Sequence, residues 1–174
     1  IRADKAAGPQ GEYMRKFERE IAGVQEKLAA LLRCGYLTLA LKGEAAPYCV
    51  PLNFGAELAG DAPVLYFHCA KEGTKLDLLR REPLVGFSAA NMLRVFNKGA
   101  APCGYTADYE SVCGTGIASI VRSEAERLHG LKVLMAHYSG ETFSAADFLP
   151  RILALTEVVK IEVRSWTCKR LVRE

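Results

Sequence analysis

Short apolar runs follow one another along this chain with a single helical crossover among the early ones, and that succession limits the fold more than any other feature. Residues 36–41 are apolar and lead into the turn chemistry of Lys42, Gly43 and Glu44, after which residues 48–54 run extended through Pro51. Residues 64–69 form a third strand, with Val64, Tyr66 and His68 on one face. Residues 84–90, 109–121 and 155–163 supply three more. Between the third and fourth lies one short helix, 73–81, which Pro83 forbids from continuing. A doubly wound parallel sheet needs a helix after almost every strand. The pattern therefore predicts a mainly β, α+β fold: a closed or nearly closed antiparallel barrel with flanking helices.

The helices bracket these strands. Met14, Phe17, Ile21, Val24, Leu28, Leu31 and Leu32 step by three and four, predicting an amphipathic helix over 14–33 closed by Gly35. Ser123 and Glu126 form a capping box ahead of Leu128, Leu131, Leu134, Met135 and Tyr138, again at helical spacing. A second box, Ser144 with Asp147, opens a short segment stopped by Pro150. Residues 55–63 and 97–104 read as loops, and the last strand leads to Trp166 and a basic tail with Lys169, Arg170 and Arg173. Residues 1–13 are expected to form a flexible N-terminal segment and 14–174 a single domain.

Composition narrows the function classes. Half the residues are hydrophobic and a quarter charged, which suits a folded globular chain. The net charge of +3 comes without a polybasic run, so nucleic acid is set aside and an anionic small molecule is the compatible partner. Six cysteines without a CxxC pair read as buried thiols of a reducing cytoplasm, and neither a disulfide scaffold nor a metal site is indicated. The apolar runs stop short of membrane-spanning length, and residues 1–11 have no apolar signal core, so no membrane partner and a cytoplasmic location are expected.

Three segments could carry chemistry. In residues 68–77 a strand end, a glycine turn and a helix start bring together free backbone amides, the Thr74 hydroxyl and the Lys75 ammonium, a set that suits a phosphate monoester. The plainer alternative is that Thr74 is a helix cap and Lys75 a solvated charge. In residues 48–54, Pro51 interrupts the ladder and leaves main-chain groups for a planar cofactor, with Asn53 offering a donor and an acceptor; a bulged edge strand is the ordinary alternative. In residues 111–116, Ser111 precedes Gly114 and Gly116, which permit a barrel-corner bulge or close approach to a ligand. His68, just ahead of the anion turn, is a candidate proton donor, haem ligand or ring-orienting group, with a hydrogen-bonded structural histidine as the plainer alternative, whereas His129 and His137 read as surface or rim residues.

Taken in order, the blocks Arg19-Glu20-Ile21, YCVPLNFG (48–55), LYFHCAKEGTKLD (65–77), CGY (103–105), YESVCGTG (109–116) and IEVRSWTCKR (161–170) resemble the flavin-binding split-barrel superfamily that contains pyridoxamine 5′-phosphate oxidase, in the branch of nitroimidazole-resistance (Nim) proteins. The resemblance spans about Met14 to Arg170. It implies a six-stranded split barrel that dimerises and holds FMN in two interfacial clefts. It also implies that Val50, Pro51, Leu52 and Asn53 line the flavin ring with their backbone, that Phe67 and His68 follow along it, and that Thr74 and Lys75 hold the phosphate. Ser111 would touch the cofactor from another strand, and Trp166 and Arg170 would reach it from the second subunit. Thr74 stands where the oxidase has a second phosphate arginine, and Lys169-Arg170-Leu171 replaces its arginine–histidine substrate signature, which argues against vitamin B6 oxidation. The activity implied is electron transfer from NAD(P)H through FMN to a small acceptor such as a nitroaromatic, with His68 as proton donor. The alternative is a non-catalytic flavin- or haem-binding protein.

Overall fold

The computed structural model describes residues 16–173, so Met14 and the segment 1–13 lie outside the described residues. In chain order the elements are α1 (Val24–Leu32), β1 (Leu37–Leu41), β2 (Tyr48–Leu52), β3 (Gly55–Ala59), β4 (Ala62–Ala70), α2 (Thr74–Arg81), β5 (Leu84–Asn97), β6 (Tyr105–Ile120), α3 (Glu124–Ser139), α4 (Pro150–Leu153) and β7 (Thr156–Leu171). Among the described residues all strand pairings are antiparallel, in the order β2-β1-β5-β6-β7-β4-β3. The two outermost strands, β2 and β3, are consecutive in the chain and separated only by Asn53 and Phe54. A two-residue link between the opposite edges forces the sheet to curl on itself, since the step from Leu52 to Gly55 spans about 11 Å at most. No ladder joins β2 to β3. The result is a barrel split along one seam.

The seventh strand is β3, from the stretch read as a loop. Gly60 and Asp61 form a two-residue hairpin between Ala59 and Ala62, with Gly60 at φ +71°, a left-handed conformation that glycine adopts without strain. The expected helix over 14–33 begins only at Val24. Ahead of it, Phe17–Arg19 is a single 3₁₀ turn, Glu20 bridges to Lys169, and the Ile21 amide donates to the Cys168 carbonyl, so pairing with β7 overrides helical periodicity. β5, β6 and β7 all outrun their expected lengths, and Trp166 and Arg170 lie within β7 instead of in a tail. Pro150 starts α4 at its first helical position instead of stopping a segment. The Ser123 cap forms, its hydroxyl accepting from the Glu126 amide, and the Ser144–Asp147 box is complete in both directions.

Strand alternation fills the barrel with Leu37, Leu39, Leu65, Phe67, Val112 and Ile161, and Leu31 and Leu76 pack in from α1 and α2. A smaller cluster, Tyr66, Val121, Leu131 and Val158, seats α3 on the outer face of β4 and β7. The glycine bend expected near 114–116 is present: the register slips between Thr115 and Gly116, and a Cβ on Gly114 would lie 2.5 Å from the Phe87 ring.

The inner face also carries charge. Glu110 is 2% exposed. Arg33 grips it with two bonds of 2.7 Å, Nε to Oε2 and Nη2 to Oε1, and Arg170 adds Nε to Oε1 at 2.6 Å while its Nη1 reaches Glu26. Asp108, two residues earlier on the same face, is held by Arg94 at 2.7 and 3.0 Å and by Arg173 at 3.4 Å. The hydrogen bonds from Arg33, ahead of those from Arg170, hold the Glu110 carboxyl below its ordinary value of 4.5 against the opposing effect of burial. The expectation of six buried thiols is corrected: Cys34, Cys69 and Cys168 are buried, whereas Cys49, Cys103 and Cys113 are exposed, Cys49 and Cys113 because they fall on outward positions of their strands. Burial, then the nearby Glu110 charge, pushes the Cys34 and Cys168 thiols up to about 11.

A depressed carboxyl contributes stability that is full above the unfolded value and is lost as pH falls through the native one. Glu110→Gln removes the charge that two guanidiniums converge on and should cost about 3 kcal/mol at pH 7, the lower end for breaking a buried ion pair. In urea titrations the wild type should also lose stability below about pH 4.5 more steeply than the variant. Iodoacetamide at pH 8 should label Cys103 in the native protein and spare Cys34, Cys69 and Cys168 until denaturant is added, as peptide mass mapping would show.

Candidate functional site

The seam of the barrel is where local chemistry is most unusual. Pro51 sits in β2, an edge strand whose ladder partner across β1 is Thr38, so its missing N–H faces no neighbour. Val50 and Leu52 turn inward onto the core, while Cys49, Pro51 and then Asn53 are exposed. The chain then bends at Phe54, which is fully buried, and both of its peptide groups are engaged by α3. The Phe54 amide donates to the Tyr138 hydroxyl at 3.0 Å, and that hydroxyl donates to the Gly35 carbonyl at 2.9 Å. The His137 ring lies 2.6 Å (Nδ1) from the Phe54 carbonyl and 2.8 Å (Nε2) from that of Leu32. Both of these partners are main-chain carbonyls, so the ring spans the seam bend and the end of α1. His137, expected as a surface or rim residue of its helix, is thus a partly buried bridge.

Two cavities flank this region. The first is an open groove of about 520 Å³ on the outer sheet face, floored by Thr38, Ala40, Gly86, Ser88, Cys113 and Thr115 and bordered by Cys49 and Trp166. Its floor follows from the register: Thr38, Ser88, Cys113 and Thr167 are successive cross-strand partners, and every one is small. Trp166 is held at the border by its Nε1–H, 3.4 Å from the Asp61 carbonyl, with the Lys27 ammonium 5.5 Å from its ring.

The second is a chamber of about 210 Å³ between β4, β7, α3 and α4. Leu131, Leu134, Met135, Phe148, Leu149, Ile152 and Leu153 wall it, and its polar residues are His68 and Thr156. The Thr156 hydroxyl already donates to the Ile152 carbonyl at 2.8 Å, which leaves the exposed His68 imidazole as the group available to a ligand's polar atom. Arg127 fixes the far wall by donating from Nη2 to the Leu153 and Thr156 carbonyls, both at 2.6 Å.

The predicted anion turn lies at the foot of β4. Gly73 caps α2 at φ +135° without a side-chain hydrogen bond, so the Thr74 and Lys75 amides have no helical acceptor. Thr74 is exposed and Lys75 half-buried. Lys75 is close enough to Cys69 to draw its thiol down, although burial dominates and leaves that thiol raised.

The structure therefore gathers the predicted residues in part. Pro51 and Asn53 occupy the seam, and Phe67 fills the core at 1% exposure, so only its backbone can meet a ligand. Trp166 borders the groove, Ser111 lies on the same face as Cys113 one step along β6, His68 lines the separate chamber, and Lys75 heads α2. Arg170 is committed to Glu110 and Glu26. Sequence reasoning missed Cys113, Thr38 and Ser88 as groove floor, because small residues give no signal until strand order aligns them. It also missed His137 and Tyr138, whose partners lie more than eighty residues away in the chain.

Comparison with known proteins agrees with this architecture. No curated protein matches the sequence significantly. Among solved structures, a protein of Bacteroides thetaiotaomicron assigned to 5-nitroimidazole antibiotic resistance is 26% identical, with a TM-score of 0.72 over 87% of this chain and 86% of that one. An FAD- and haem-binding protein of Mycobacterium smegmatis is 17% identical, with a TM-score of 0.70 over 87% and 73% of the two chains. An FAD-binding protein of Mesorhizobium loti is 20% identical, with a TM-score of 0.59 over 88% and 98%. These last two likenesses establish the fold alone. The family model for pyridoxamine 5′-phosphate oxidase matches residues 24–170, from the start of α1 almost to the end of β7. With its seven-stranded split barrel and that match, the chain belongs to the pyridoxamine 5′-phosphate oxidase-like family.

Proposed function

We propose that this protein is an FMN-dependent oxidoreductase of the Nim-like type, passing electrons from NAD(P)H to a small acceptor such as a nitroaromatic, and that it works as a homodimer. The observation that carries this reading is the groove: about 520 Å³, within the range of roughly 300–1,000 Å³ typical of cofactor sites, lined by hydroxyl-bearing and small side chains and one bordering indole. Such a lining accepts a planar ring without steric conflict. The uncapped start of α2, with Lys75, suits the phosphate. Trp166 and His68 belong to different cavities of one chain, which fits a site assembled from two copies, the groove of one facing the seam and α2 of the other.

Bound FMN would supply the hydride and electron transfer. The chain's own residues do the rest. The backbone of Val50, Pro51, Leu52 and Asn53 orients the ring at the unpaired edge, Thr74 and Lys75 neutralise the phosphate, and Ser111 and Trp166 bound the cleft. The apolar chamber takes the acceptor out of water, and His68 hands it a proton. Arg170, anchored through Nε and Nη1 to Glu110 and Glu26, keeps Nη2 for the cofactor of the second subunit.

Freshly purified protein should be yellow or become so with FMN, and at 100 times the dissociation constant FMN should add about 2.7 kcal/mol of stability, or about 5–10 °C in melting temperature. Lys75→Met should weaken FMN at least about tenfold, and His68→Ala should slow nitroaromatic reduction about 100-fold while keeping the flavin spectrum. A protein that gains neither colour nor stability with FMN ends this reading, and a haem spectrum lost in His68→Ala would replace it with the haem-binding one.

A further inference from the structure

The Asn53–Phe54 bend is held by a contact set that the family match does not explain. Three observations converge there. Tyr138 and His137 take up both the N–H and the C=O of Phe54, and the Phe54 and His137 rings meet edge to face at 4.7 Å. The same two side chains reach the Leu32 carbonyl, one of the terminal groups that α1 leaves without internal partners, and the Gly35 carbonyl three residues beyond the helix. Beside them the backbone of α3 is pressed onto Gly55, where a Cβ would lie 2.5 Å from the Leu134 Cα and amide nitrogen. The bend is therefore fixed by a helix that enters from outside the sheet, one residue after the backbone that Pro51 leaves unpaired.

We infer that His137 and Tyr138 are positioning residues for the cofactor edge: by clamping the Phe54 peptide groups from α3, they preset the path of Val50–Asn53 before a ligand arrives. This rests on the reading of that edge as the flavin-lining strand. A loose corner would have to be ordered at the moment of binding, and that ordering lowers affinity. Tyr138 is 42% exposed, so removing its hydroxyl leaves packing almost intact.

The test uses the full chain with FMN as the probe and two variants, Tyr138→Phe and His137→Gln. For Tyr138→Phe, FMN titrated by fluorescence quenching should bind about five- to tenfold more weakly, the size of one hydrogen bond. The Phe54 amide should exchange with D₂O about tenfold faster or more in the flavin-free protein, while amides of the β6 core exchange at wild-type rates. His137→Gln, which keeps a donor but cannot bridge both carbonyls, should fall between wild type and Tyr138→Phe in affinity. Unchanged FMN affinity in both variants overturns the inference, as does unchanged Phe54 exchange. A loss of affinity matched by faster exchange throughout the barrel also overturns it, because the pair would then be only a structural brace. Wild-type protein that binds no FMN removes the cofactor reading itself, a result distinct from variants that bind as well as wild type.

Discussion

The two-residue link between β2 and β3 is the constraint on which the architecture depends. It joins the two edge strands of a seven-stranded sheet, so the sheet cannot lie open, yet those two strands do not pair with each other. The unpaired seam that results is held from both sides by side chains: Phe54 is buried in the interior and its peptide groups are satisfied by α3. Buried peptide groups left without partners are costly, and here their partners come from a helix some eighty residues away.

Placement of the cavities follows from the same closure. The interior is filled by Leu37, Leu39, Phe67, Val112 and Ile161, and its remaining polar groups, Glu110 and Asp108, are taken up by four arginines. Among the described residues, space for ligands lies outside the barrel interior, in a groove on the small-residue face and in a chamber between α3, α4, β4 and β7. Buried charges of this kind add little net stability, because desolvation offsets most of their attraction, but losing one member leaves its partners uncompensated. Arg170 shows how the register ties the end of β7 to this cluster, its Nε on Glu110 and its Nη1 on Glu26.

Much of the barrel was legible in the residues. The order of apolar runs, the edge character given by Pro51, the bend at the 114–116 glycines and the capped start of α3 all rest on local chemistry acting over a few residues, and each is present. Apart from the missed β3, which had a local signal, the errors had tertiary causes. Residues 17–23 have helical spacing, but pairing with β7 draws them into an extended path, and β3 went unrecognised although Gly60-Asp61 carried a two-residue hairpin signal. The ends of β5, β6 and β7 ran long because partners on neighbouring strands extend a strand beyond what its own sequence favours.

By itself, then, the sequence determined fold class, the order of six of the seven strands along the chain and the candidate chemistry of His68, Thr74 and Lys75, since these depend on periodicity, turn residues and side-chain type. Only the tertiary structure decided which residues share a surface. Thr38, Ser88, Cys113 and Thr167 become one floor through register across four strands, and His137 reaches Phe54 through the packing of α3 on Gly55. The reason is physical: contacts between distant segments are fixed by closure of the whole sheet, and no local stretch of the chain encodes that closure alone.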